Sequence, residues 1–218
     1  MLLDSEEELR LKKSPWKRTG ILGALIPLDH PAGGDINHPV VSRLLEAGKH
    51  TVCLWIARRV CRHRCAAEFA WVVAHELRHA QQRQTCPVML GADRLALRPH
   101  LRQLSLPRLE ITLPSELDAD LTAWRVTRSI LGQAVADAYV REQAEDGPAM
   151  DCYRALQAMD SDEPYDAPQE TLALLRHHRR RLTCLIRESC DLDVFGYRVG
   201  DAIRKLEDAG PGALPQTP

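Results

Sequence analysis

Two imidazoles four residues apart with a carboxylate between them, His75-Glu76-Leu77-Arg78-His79, have the side-chain types and spacing in this 218-residue chain best suited to chemistry. On a helix, positions i and i+4 lie one turn apart on the same face, so both rings can reach a single divalent cation, at about 2.0–2.1 Å if it is zinc. Glu76, next to the first ring, can reach the coordination position left open and take a proton from water there. A catalytic zinc ordinarily keeps three protein ligands and one open position. Glu116, in Glu116-Leu117-Asp118-Ala119-Asp120, offers the third ligand. Asp120, one turn later, faces the same way and can accept the outer N–H of a ligating histidine, fixing its tautomer. His100 competes for the third position, although Arg98, Pro99 and Arg102 around it read as an exposed loop. A plainer reading makes the histidines a solvated helix end and the acids a first turn that complements the helix dipole.

The motif needs a helix, and residues 66–82 read as one. Phe69, Val72, Val73 and Leu77 fall at helical spacings, with the segment apolar before the motif and polar after it, as where a buried helix meets a cleft. A second helix starts at Pro114 and Ser115, the proline suiting a first turn and the serine a cap. It continues through Leu117, Leu121 and Trp124 towards Ile130. Residues 21–28 and the β-branched, apolar 51–57 read as strands, and 108–113 as a short one. Residues 30–37 read as a loop and 39–47 as a short helix. Helices are expected at 151–159 and at 170–188, the latter with Leu172, Leu175, Leu182 and Ile186 inward. Exposed linkers are expected at 145–148 and 160–168.

HELRH followed by a helical Glu116-x-x-Ala119-Asp120 resembles the gluzincin arrangement, in which the third zinc ligand is a glutamate with an aspartate four residues on. Over roughly residues 50–130 the chain is most similar to the ImmA/IrrE-like prokaryotic metallopeptidases. Arg78 stands where that family commonly has glycine, and no DNA-binding helix-turn-helix is recognisable. The resemblance implies an α+β, zincin-like core, a small sheet plus an active-site helix, in which the strand at 51–57 borders the substrate cleft. The domain reading is then an N-terminal arm at 1–19, a zincin-like metallopeptidase domain at 20–143, a helical C-terminal extension at 144–208 and a disordered tail at 209–218.

Composition narrows the setting. Apolar residues make up 44% and charged residues 27% of the chain, a globular balance, and a net charge of −1 gives no overall field for nucleic acid or an anionic membrane. The acidic start and short apolar runs fit neither a secretory signal nor a membrane span, and seven cysteines without a close CxxC pair suggest reduced thiols, so a cytoplasmic location is expected. The one basic cluster, 176–181 with Arg176, Arg179, Arg180 and Arg181, reads first as a solvated helix face and second as a surface for an acidic partner. The expected function is zinc-dependent hydrolysis of a protein or peptide substrate. The alternative is a non-catalytic, zinc-stabilised binding module that contacts protein or nucleic acid through that basic helix. Oligomeric state is not legible in these residues.

Overall fold

The computed structural model describes residues 10–11, 23–27, 36–37, 52–62, 65–93, 97, 112–145, 150–159, 164–188, 204 and 207–208. Helices dominate these residues, joined by two short antiparallel strand pairs, an α+β arrangement. The chain divides into two compact units, Met1–Ala80 with Ala123–Tyr139 and Gln81–Thr122 with Val140–Pro218.

In the first unit, β1 (Arg10–Leu11) pairs with β3 (Ile36–Asn37), so a strand occupies part of the expected arm and ends the expected loop at 30–37. β2 (Gly23–Pro27) pairs with β4 (Val52–Ile56), Gly23 opposite Ile56 and Pro27 opposite Val52. Cys53, Trp55 and Ile56 of this ribbon are buried, as is Ala57 just after it. A short helix α1 (Arg58–Arg62) leads to the 20-residue α2 (Ala66–Thr85), whose residues from Gln81 on belong to the second unit.

At 100° per residue, Ala67, Trp71, Ala74, Arg78 and Gln82 form one stripe of α2, and all five are buried. This corrects part of the face expected from the sequence: Val72 is buried, whereas Phe69 is 43% and Leu77 53% exposed. Trp71 carries the larger apolar area and packs its ring against Tyr139 at 5.3 Å, which turns the helix so that the face bearing Phe69 and Leu77 looks outward.

In the second unit, Cys86 precedes α3 (Pro87–Ala92), a helix not anticipated from the sequence, in which Val88 to Ala92 are buried. Next come α4 (Pro114–Leu131), whose residues from Ala123 on belong to the first unit, α5 (Gln133–Glu145), whose residues up to Tyr139 also do, then α6 (Met150–Ala158) and α7 (Ala167–Glu188), which packs against α3. Leu113, Leu117, Leu121, Val140, Leu156, Leu172 and Leu175 are at the centre of its core. Helix α4 ends at Gly132, whose φ of 90° and N–H bond to the Arg128 carbonyl (2.9 Å) make the left-handed stop that separates α4 from α5. Two further expectations are corrected. Ser115 lies inside α4 rather than capping it, and the 160–168 linker is cut short because Ala167 and Pro168 already belong to α7 and are buried.

The expected helix at 39–47, the strand at 108–113 up to its last two residues, and the tail at 209–218 lie outside the described residues. No described helix is long and apolar enough to cross a membrane.

Candidate metal centre

Helix α2 presents His75 and His79 beside its core stripe and Glu76 on the opposite side, against Gly23. The two imidazoles converge: Nε2 of His75 and Nε2 of His79 are 3.1 Å apart, the rings 4.7 Å between centroids and nearly perpendicular. The carboxylate of Glu116 completes the set. Ligand atoms of His75, His79 and Glu116 all lie within 4.8 Å of one another, the one group of this kind among the described residues, and the three could hold a metal ion.

Glu116 sits in the first turn of α4, and that turn is fastened on both sides. The Ser115 N–H, one of the helix-start donors without an intrahelical partner, donates to Asp93 Oδ2 at 3.1 Å. Asp93, immediately after α3, therefore does the capping expected of the Ser115 side chain. From α2, the fully buried Gln82 donates through Nε2 to the Ser115 carbonyl (2.9 Å) and to Asp118 Oδ2 (2.6 Å). Neither Gln82 nor Asp93 is visible as a site residue in the sequence, because their partners are 33 and 22 residues away.

Glu76 is buried, and the backbone explains how. Gly23, at the start of β2, passes so close to α2 that a Cβ there would stand 2.6 Å from Val72 Cγ1, 3.0 Å from Glu76 Cγ and 3.2 Å from Glu76 Oε1. The missing side chain makes room for the carboxylate and leaves it little freedom. A Gly23→Ala substitution is expected to cost about 1–3 kcal/mol of stability through overpacking, read as a lowered midpoint in chemical denaturation. An unchanged midpoint would show that the strand yields freely.

Asp120 is buried, and its Oδ2 accepts a hydrogen bond from the Cys152 thiol of α6 at 2.7 Å. Burial, reinforced by the negative charges of Asp120 and Glu116, pushes the Cys152 thiol far above its ordinary pKa, so it stays a neutral donor. Burial also raises the Tyr165 phenol, with Glu170, Asp93 and Asp118 adding to it, which marks this part of the second unit as rich in carboxylates. The five described cysteines, Cys53, Cys61, Cys65, Cys86 and Cys152, are free thiols.

His100 lies outside the described residues, as do the side chains of Arg179, Arg180 and Arg181. Arg176, on α7, is ion-paired with Glu207. Of the side chains the sequence offers for stabilising an oxyanion, Tyr139 is a core residue against Trp71, Tyr153 is buried, His177 and His178 meet edge to face on α7, and Tyr197 lies outside the described residues. No protein-family model matches the chain, and comparison with curated proteins and with solved structures finds no match either.

Proposed function

We propose that the chain is a zinc-dependent peptidase in which His75, His79 and Glu116 hold the cation and Glu76 is the general base. The observation that carries this reading is the convergence of those three side chains, with two Nε2 atoms 3.1 Å apart. Two ligands of a tetrahedral zinc at about 2.0–2.1 Å stand about 3.3–3.4 Å from each other, so the imidazoles need almost no rearrangement to serve. Two histidines and a glutamate, with a fourth position left open, make a donor set used by hydrolytic rather than purely structural zinc sites.

A divalent cation held there would supply Lewis acidity, making a water more acidic and a peptide carbonyl more electrophilic. Glu76 accepts the proton of the attacking water on its carboxylate and returns it to the departing amine nitrogen. Its burial against Gly23 keeps that carboxylate in one orientation and away from bulk solvent. Asp120, with its carboxylate oriented by Cys152, is assigned the acceptor role for the outer N–H of a ligating imidazole.

This reading makes the core zincin-like, of the gluzincin type and akin to the ImmA/IrrE-like metallopeptidases, with a protein or peptide substrate in the cytoplasm. Metal analysis of the purified protein, beside cleavage of casein with and without a zinc chelator, tests it. Stoichiometric zinc and cleavage that the chelator abolishes and added zinc restores are expected. A metal-free protein, or cleavage indifferent to chelation, would refute the assignment.

A further inference from the structure

The zinc reading leaves one arrangement unexplained: a fully buried glutamine on the ligand-bearing helix whose amide bonds bracket the third ligand. Gln82 lies three residues after His79 on α2, about 4.5 Å further along the axis. Both of its amide-nitrogen contacts go to the first turn of α4, one to the carbonyl of Ser115, just before Glu116, the other to the carboxylate of Asp118, two residues after it. An –NH2 group has two protons, and two acceptors on either side of Glu116 account for both. Asp93 holds the same turn through the Ser115 N–H, which leaves the helix start little freedom to rotate.

We infer that Gln82 is a positioning residue for the metal centre, a two-pronged amide that sets where Glu116 stands relative to His75 and His79. The inference rests on the zinc reading above and deepens it. An apolar side chain at position 82 would fill the stripe that Ala67, Trp71 and Ala74 begin, so core packing alone does not call for an amide there. The choice of glutamine is explained by its acceptors. Because a carboxylate ligand on a displaced helix start loses its aim, the effect of Gln82 should pass through Glu116 and nothing else at the metal.

Zinc affinity measured by competition with a chromophoric chelator, on the full chain, tests this as a four-protein cycle: wild type, Gln82→Ala, Glu116→Ala and the double variant. Gln82→Ala is expected to weaken zinc binding by about 10–100-fold, the usual effect of losing an outer partner of a ligand. In the Glu116→Ala background the same substitution should cost nothing further, a pattern that general loosening of the fold does not produce. Equal losses in both backgrounds, or no loss in either, would overturn the inference. Should Gln82→Ala fold poorly, Asp118→Ala replaces it in the cycle, since it removes one of the two acceptors and keeps the Ser115 bond. A smaller, again Glu116-dependent loss is then expected, and a Glu116-independent one overturns the proposal. Absence of zinc binding by the wild type would instead remove the functional reading, and this inference with it.

Discussion

Replacing Glu76 by glutamine is expected to lower peptide hydrolysis by about 10²–10⁴-fold while the protein keeps its zinc. The amide has nearly the shape of the carboxylate, so it still fits the space that Gly23 leaves open, but it cannot accept the proton of the attacking water. Glu76 is not one of the three grouped ligands, so metal content should stay at the wild-type level. Casein turnover and metal analysis on the same preparation separate the two effects. A Glu76→Gln protein that loses its metal would make Glu76 a ligand, and one that keeps full turnover would leave the reaction without its base.

The second large effect concerns the ligands themselves. Both His79→Ala and Glu116→Ala are expected to weaken zinc binding by more than the roughly 10–100-fold typical of an outer-partner loss, because each removes a donor outright from a set of three. Chelator competition measures this directly. Glu116→Gln should fall between Glu116→Ala and the wild type, since it keeps an oxygen donor and gives up the charge. Wild-type affinity in Glu116→Ala would return the third position to another side chain, with His100 first in line.

The two proposed ligands on one helix were legible because their geometry is local: i and i+4 on a helix define a shared face whatever surrounds it. Glu116 was legible less directly, from Pro114 and the acidic first turn that mark a helix start. Strands β2 and β4, though not their pairing, and helices α2, α4, α6 and α7 were likewise visible from periodicity and β-branched runs. Other features depend on contacts distant in sequence. Nothing in the spacing of Gln82, Asp93 or Cys152 relates them to the first two turns of α4, yet their hydrogen bonds hold that segment. The outward turn of Leu77 was misread because the helical spacing pointed to the face of Phe69 and Leu77, while the packing of Trp71 on Tyr139, 68 residues on, leaves no trace in that spacing. The helix at Gln133–Glu145 was not anticipated, and Gly132, whose positive φ separates it from α4, was not singled out in the sequence.

The close passage of Gly23 over α2 also bears on how the first ribbon finds its frame. Neighbouring positions carry Ile21, Leu22, Ala24 and Leu25, so a slide of this segment by one or two residues would bring a side chain to a crossing with no space for one. Strands with a bare, permissive surface slip easily, whereas this one has a single position that fits. Mispairing of β2 with β4 and displacement of the Glu76 carboxylate are thus one and the same error, and a chain that threads this crossing correctly has already set that carboxylate in place.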